Sequence, residues 1–257
     1  MLPIDLQGRI ALVVGGSRGI GAAVAEVLAQ AGAFVTFTHT GNPQHRSRLD
    51  ELLARIRDRG GQAVEVPLDA RDAAGTTSLV DRMAKQYDKI DILVPNVGGN
   101  VPGPAENVTH EEWQRALDLN LTSAFNCVHA VLPHMVRARY GRIIFIGSSA
   151  LYSGGGGAID YAAGKAGLTG MMMYLAKEYA RKGIVTNIIH PGLIDTDLLR
   201  ARYSDEATRA KLIPQVPVGR LGTPEDVAGI VAFLASPLGD YICAQSILVD
   251  GGRTFFR

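Results

Sequence analysis

Short apolar runs and longer amphipathic stretches alternate along the chain. The apolar runs are typical of strands buried on both faces, and the stretches between them place apolar residues at helical spacing. Strands are predicted at residues 9–14, 33–38, 63–67, 92–96, 142–147, 185–190 and 246–249. Helices are predicted at residues 19–30, 50–59, 73–86, 111–135 and 161–181. This alternation predicts an α/β fold in which helices cover both faces of a doubly wound, seven-stranded parallel sheet.

Two helix starts carry capping signals. Thr109 precedes Glu112 by three residues, which is the spacing of a capping box. Thr223 precedes Pro224 and two acids, an order that suits an N-cap, a first helical position and the positive end of a helix. Because no repeat or linker divides the chain, residues 1–257 are predicted to form one domain.

Charge and cysteine content narrow the class of protein. The formal net charge is +1, which gives no field for nucleic acid or an anionic membrane surface, and no apolar run is long enough to span a bilayer. Cys127 and Cys243 stand alone, and the histidines lack the spacing of zinc ligands. These features predict a cytoplasmic protein that binds no metal, no nucleic acid and no membrane.

A glycine-rich turn joins the first predicted strand to the first predicted helix. Its residues are Gly15, Gly16, Ser17, Arg18, Gly19, Ile20 and Gly21. Gly15 lets the chain leave the strand tightly, whereas Gly19 and Gly21 let backbone amides and the helix N-terminus approach a pyrophosphate. The turn therefore predicts the dinucleotide site of a Rossmann-type fold. The alternative is an ordinary tight connection between strand and helix.

The end of the second predicted strand indicates which dinucleotide binds. An acid there would bond the ribose 2′-hydroxyl of NAD and repel the 2′-phosphate of NADP. Residues 38–42 contain no acid, His39 and Thr40 stand at that place, and Arg18 lies within the glycine turn. The sequence therefore favours NADP, with NAD as the alternative.

Tyr161 and Lys165 are four residues apart, so they share one face of a helix. A phenol has a pKa of about 10 and is a poor acid or base at neutral pH, but a nearby ammonium lowers that pKa. Ser148 follows the fifth predicted strand, and Asn120 is a polar residue within a predicted helix. These four residues are candidates for catalysis. The alternative is a packed tyrosine beside a lysine whose ammonium is solvated.

Together these motifs resemble those of the short-chain dehydrogenase/reductase family, in family order from Arg9 to Gly252. The resemblance implies an oxidoreductase with a nicotinamide cofactor. It also implies cofactor contacts beyond the glycine turn, which are Asp69, Ala70, Asn96, Gly98, Tyr161, Lys165, Pro191, Gly192, Ile194 and Thr196. Three residues depart from the family pattern, Val14, Pro95 and Val97, and we interpret them as local repacking.

The resemblance implies a mechanism as well. A hydride passes between the cofactor and a carbonyl or carbinol carbon, and Tyr161 donates or accepts the proton of the oxygen. Lys165 lowers the pKa of that phenol and binds the nicotinamide ribose. Ser148 positions and polarises the carbonyl. Asn120 holds a water that relays protons through the lysine.

Three segments are expected to form the substrate pocket, residues 99–106, 149–158 and 193–214. The acids and bases of the last segment balance, which indicates no strongly charged substrate. The family branch that the chain resembles contains 3-oxoacyl-carrier-protein reductases and sugar or polyol dehydrogenases. Both remain alternatives to a general ketone reductase or alcohol dehydrogenase. A nucleotide-binding protein without catalytic activity is the alternative of another class.

The resemblance implies a homotetramer built on the helices predicted at 111–135 and 161–181, with residues 171–174 as an apolar seam. Core packing within one subunit is the alternative for this seam. Arg139 and Lys182 fall where carrier-protein reductases present bases to their partner, although cations near helix ends are favourable in any protein. An acyl carrier protein is therefore an alternative partner beside a small carbonyl or alcohol substrate.

Overall fold

A computed structural model describes residues 4–154 and 156–255, so Gly155 of the predicted pocket segment 149–158 lies outside the described residues. The strands of this part of the chain are β1 (Ile10–Val14), β2 (Phe34–His39), β3 (Gln62–Pro67), β4 (Ile92–Pro95), β5 (Gly141–Ile146), β6 (Ile184–Pro191) and β7 (Ser246–Val249). They form one parallel sheet in the order β3-β2-β1-β4-β5-β6-β7. The predicted sheet is confirmed, and every predicted strand end lies within one residue of the observed one.

Helices connect the strands on both faces of the sheet. They are α1 (Gly19–Gln30), α2 (Arg46–Asp58), α3 (Ala73–Tyr87), α4 (His110–Leu117), α5 (Ser123–Ala138), α6 (Ala150–Ser153), α7 (Ile159–Tyr179), α8 (Asp197–Arg202), α9 (Glu206–Ala210) and α10 (Pro224–Ala235). Helix α2 begins four residues before the predicted start, at Arg46, because its guanidinium pairs with Asp50 one turn later. Both predicted capping signals form capping boxes, at the starts of α4 and α10.

The helix predicted at 111–135 forms as one helical stretch, but a π turn that the sequence did not indicate divides it into two α-helices. Helix α4 ends at Leu117, a π-helical turn covers Asp118–Thr122, and α5 follows it. A π turn inserts one extra residue into the helical ladder and recurs at functional sites. Here it carries Asn120, whose side chain is fully buried.

Two apolar clusters hold the layers together. One packs α1, α2 and α10 against one face of the sheet, and the other packs α3, α5 and α7 against the opposite face. The strand order reverses between β1 and β4, so the connections that follow these two strands run toward opposite edges of the sheet. Ligands of such folds bind at the carboxyl ends of the strands beside this reversal. No helix among the described residues has the length and apolar character needed to cross a bilayer.

Candidate active site

The glycine turn after β1 is shaped by close approach of backbone to backbone. A Cβ at Gly21 would lie 2.0 Å from the carbonyl oxygen of Gly15, so only glycine lets α1 start this close to the strand. Asn96, which follows β4, donates its side-chain amide to the same Gly15 oxygen at 2.8 Å. Gly15 itself has a φ of +80°, in the region that favours glycine. The first turn of α1 therefore faces the end of the sheet at a fixed distance.

The start of α1 fits the phosphates of a dinucleotide. Arg18, the N-cap residue, forms no side-chain cap, so the amides of the first turn have no side-chain acceptor. Among the described residues, a Cβ at Gly19 would meet only the side chain of Thr196 within 4 Å. Free amides at a helix N-terminus that follows a glycine-rich turn are suited to an anion. Ser17 is partly buried beside them, and Ile20 packs against the core under the turn.

A carboxylate that the sequence pattern did not indicate lies beside the end of β2. Glu65 of β3 lies beside His39 and accepts a hydrogen bond from its Nε2, because His39 Nδ1 already accepts the Gly41 amide at 3.0 Å. Arg46 binds the other Glu65 oxygen at 2.8 Å, and its bond holds the pKa of that carboxyl below its usual range. The acid is thus held by hydrogen bonds from His39 and from Arg46, which also pairs with Asp50, while Thr40 is exposed.

Asn120 and Lys165 meet at Gly98, which follows β4. A Cβ at Gly98 would lie 2.6 Å from the Lys165 ammonium and 2.8 Å from Asn120 Oδ1, so glycine is required between them. The Asn120 amide donates to the carbonyls of Gly99 and Ala116 at 2.9 Å, and its oxygen accepts the Gly99 amide at 3.1 Å. The π turn thereby fixes Asn120 against the end of the sheet.

Lys165 is almost fully buried on the inner face of α7. Its ammonium donates to the carbonyls of Val97 and Ile146, at 3.1 and 3.0 Å. Burial lowers the pKa of this ammonium to about 8. The side chain is therefore not a solvated lysine that happens to lie near a tyrosine, which was the alternative interpretation.

Tyr161 lies one turn before Lys165 on the same helix, next to Ser148. Burial raises the pKa of the phenol, while hydrogen bonding by the Ser148 hydroxyl and the positive charge of Arg202 act in the opposite direction. The expected lowering of this pKa by Lys165 is not found, because burial has the largest effect and the groups that oppose it are Ser148 and Arg202. At neutral pH the phenol of this structure carries its proton.

The other residues implied by the resemblance surround the same end of the sheet. Ala70 is held by α5, since Asn126 donates to its carbonyl at 3.0 Å, and Asp69 is paired with Arg71. Pro191 ends β6, and the Gly192 amide that follows donates to Val249 at 3.0 Å. Ile194 is buried and forms a bridge with Gly222, and Thr196 caps α8.

The three predicted pocket segments converge on one carbonyl, that of Gly156. Asn100 of the first segment donates its side-chain amide to this oxygen, and Arg202 of the third donates to it at 3.0 Å. Gly156 in turn packs against Tyr161, since a Cβ there would lie 2.8 Å from the phenol ring. We call this meeting point the Gly156 junction.

Comparison with known proteins identifies the family. A family model described as Enoyl-(Acyl carrier protein) reductase matches residues 14–254. The chain is 40% identical over 249 residues to the 3-oxoacyl-[acyl-carrier-protein] reductase FabG of Escherichia coli (strain K12), covering 97% of this chain and 98% of the relative. The chain belongs to the short-chain dehydrogenase/reductase family. Membership in this family makes it an oxidoreductase that acts on CH–OH groups with a nicotinamide cofactor.

Solved members of the short-chain dehydrogenase/reductase family share the whole fold. One from Beutenbergia cavernae, provisionally described as an NAD(P)-dependent gluconate 5-dehydrogenase with bound NADP at low occupancy, has a TM-score of 0.90 at 34% identity and covers 98% of each chain. One from Agrobacterium tumefaciens, provisionally described as a gluconate dehydrogenase, has a TM-score of 0.91 at 34% identity and covers 100% of each chain.

The departures from the short-chain dehydrogenase/reductase pattern fit their surroundings. Val14 and Pro95 are buried neighbours in β1 and β4, where Pro95 is the last strand residue. Val97 keeps its carbonyl free for Lys165, and its side chain would be the first contact of a Cβ at Gly15. Asn96, between these two replacements, retains its bond to the glycine turn.

Two residues at the site were not found from the sequence. His190 is fully buried at the end of β6, where its Nδ1 lies 3.1 Å from the carbonyl oxygen of Ser148, and its ring meets that of Tyr152 edge on. A histidine that follows two isoleucines at the end of a buried strand was a signal of such a contact. Arg202 gave no signal, because it is one of several charges in a balanced segment.

Proposed function

We propose that this protein interconverts a secondary alcohol and a ketone with NADP(H) as the hydride carrier. The observation that carries the proposal is the meeting of Ser148, Tyr161, Lys165 and Asn120 beside a turn shaped for phosphates. A protein that only bound the nucleotide would have no need for a buried lysine that meets a buried asparagine at Gly98, one helical turn from the tyrosine.

The cofactor's place follows from the residues around the glycine turn. Residues 15–21 would hold the pyrophosphate, residues 69–70 and Asn96 the adenosine, and residues 191–196 the nicotinamide side. When bound, the cofactor supplies or accepts the hydride. NADP is favoured over NAD because Arg18 is exposed and forms no ion pair with the described residues, and because the nearby carboxylate of Glu65 is held by hydrogen bonds from His39 and Arg46.

The protein's own residues would manage the proton. For ketone reduction, the protonated Tyr161 donates to the substrate oxygen as negative charge develops there. Ser148 is placed to hold that oxygen by hydrogen bonding. Lys165 keeps a positive charge beside the tyrosine and the nicotinamide ribose. Asn120 fixes the chain around Gly98 and is placed to hold a water that returns a proton through the lysine.

Two substrate classes are favoured by specific relatives. The curated relatives are 3-oxoacyl-[acyl-carrier-protein] reductases, and two solved relatives are provisionally described as gluconate dehydrogenases. Docking of a carrier protein at Arg139 and Lys182 finds less support within one subunit. These residues precede β5 and β6, at the amino ends of the strands, whereas Tyr161 and Ser148 lie beyond the carboxyl ends.

The test is NADPH consumption with a panel of ketones, thioesters and keto sugars. Loss of a positioned proton donor costs about 10²- to 10⁴-fold in rate, so Tyr161→Phe should lower kcat by that factor. Tyr241→Phe is the matched control, because it removes an exposed phenol oxygen outside the three pocket segments, and it should retain activity within a few fold. Equal turnover by wild type and Tyr161→Phe would refute the proposal.

A further inference from the structure

The charges of residues 193–214 balance in the sequence, but they do not balance at the site. Asp195 binds Arg200 through two bonds of 2.9 Å, and Asp197 binds Arg48 of α2. The Asp205 carboxylate is engaged at the start of α9, where it accepts amides of residues 207 and 208. These acids are therefore occupied away from the Gly156 junction.

Arg202 is a cation of this segment that lies at the Gly156 junction without such a pairing. Among the described residues it has no carboxylate partner, and its one hydrogen bond goes to the neutral carbonyl of Gly156. Arginine has five N–H donors in a planar fork, so most of its donors remain available. Tyr203 lies under the guanidinium, whose carbon is 5.4 Å from the ring centroid.

The guanidinium lies close to the proposed proton donor. A Cβ at Gly157 would lie 2.6 Å from Arg202 Nη2, and one at Gly156 would lie 2.8 Å from the ring of Tyr161. Gly156 and Gly157 therefore lie between the Arg202 guanidinium and the Tyr161 ring. The charge of Arg202 also acts to lower the pKa of Tyr161, which agrees with this proximity.

From this geometry we infer that Arg202 binds a carboxylate of the substrate, and that the protein acts on small hydroxy acids or keto acids rather than on neutral alcohols or thioesters. This inference rests on the proposed function, because it places the reacting carbon at Tyr161. A carboxylate accepts two parallel bonds from a guanidinium, and such charge-assisted bonds are about twice as strong as bonds to a neutral carbonyl. The carboxylate therefore displaces the contact with Gly156.

The test compares substrates that differ only in charge. Straight-chain oxo acids are assayed with NADPH against their methyl esters, and aldonates are assayed with NADP against alditols of the same length. A neutral 3-oxoacyl thioester of N-acetylcysteamine is a further uncharged probe. Wild type should show a kcat/KM for the acids about 10- to 100-fold above that for their neutral partners, the range expected of a hydrogen-bonded charge.

The variants assign that preference to one side chain. Arg202→Gln should remove the preference by lowering kcat/KM for the acids alone, mostly through KM, and Arg202→Lys should keep part of it. Lys85→Gln is the control, since it removes an exposed cation from α3, outside the three pocket segments. It should leave the preference unchanged.

The outcomes separate the inference from the function on which it rests. If neutral substrates are reduced as well as acids, or if Arg202→Gln keeps the preference for acids, the inference is wrong while the proposed function stands. If no acid and no neutral substrate is turned over in a Tyr161-dependent way, the proposed function fails and the inference fails with it.

Discussion

Burial sets the proton chemistry of Tyr161 and Lys165. It raises the pKa of the phenol and lowers the pKa of the ammonium to about 8, so the two values move apart and the ammonium has the lower one. The sequence predicted this pair from its spacing, but it predicted a phenol with a lowered pKa. Spacing places two side chains on one face of a helix and says nothing about how completely the surrounding loops exclude water, which here decides the direction of the shift.

Arg18 is the residue on which the cofactor preference depends most directly. It is exposed at the start of α1, beside the turn that would hold the pyrophosphate. Arg18→Ala should raise KM for NADP about tenfold or more, because a charge-assisted bond to the 2′-phosphate is lost, and should change KM for NAD little. Steady-state kinetics with each cofactor measure this. Arg82→Ala, on the exposed face of α3, is the control, and equal effects on both cofactors would remove Arg18 from the 2′-phosphate.

The elements around the site were predicted with unequal success, for physical reasons. Parallel strands buried on both faces are continuous apolar runs, and the glycine turn follows β1 at a fixed place, so both are visible in the chain. The π turn at Asp118–Thr122 is not, because its residues suit an α-helix equally well. The contact between Glu65 and Arg46 also escaped prediction, since it depends on the register of β2 and β3.

The fit of α1 against the end of β1 depends on glycine at position 21. Gly21→Ala places a methyl group 2.0 Å from the Gly15 oxygen and 2.6 Å from the Asn96 amide, so it should cost about 1–3 kcal/mol of unfolding free energy and weaken NADPH binding. Chemical denaturation and NADPH fluorescence titration measure the two effects.

Gly229→Ala is the matched control within α10, where a Cβ would meet none of the described residues within 4 Å. This variant should raise the free energy of unfolding by about 0.5–1 kcal/mol, because alanine is the better helix former, and should leave NADPH affinity unchanged. A Gly21→Ala protein with unaltered NADPH affinity would show that the tight turn is not needed for the cofactor.

At the scale of the whole molecule, the apolar seam predicted at residues 171–174 has one part in the core of the subunit and another part on its surface. Met172 is fully buried in the core beneath α7, whereas Met173 and Tyr174 are 55% and 63% exposed on the same helix. Phe125 of α5 is 52% exposed as well. The sequence could not separate these roles because four consecutive apolar residues cover every side of a helix. The exposed members remain candidates for the subunit contact of the predicted homotetramer.

A charged substitution in the exposed part of the seam tests whether this face of α7 forms the subunit contact. If α7 pairs with a second subunit through this face, Tyr174→Glu should lower the native mass, since an unpaired carboxylate would be buried in the contact. Light scattering after size-exclusion chromatography measures the mass. Val64→Glu, on the edge strand β3, is the control and should leave it unchanged. A wild-type monomer, or a Tyr174→Glu protein of wild-type mass, would exclude this face.

The proposed function requires that Tyr161 gives up its proton in one direction of the reaction and takes it back in the other. The most direct measurement is kcat/KM against pH in both directions. Reduction needs the phenol and should fall as pH rises, whereas oxidation needs the phenolate and should rise with the same midpoint. Titration of Lys165, whose pKa is about 8, would instead change both directions in the same sense. Opposite slopes that are abolished in the residual activity of Tyr161→Phe would bear out the account, and parallel or flat profiles would contradict it.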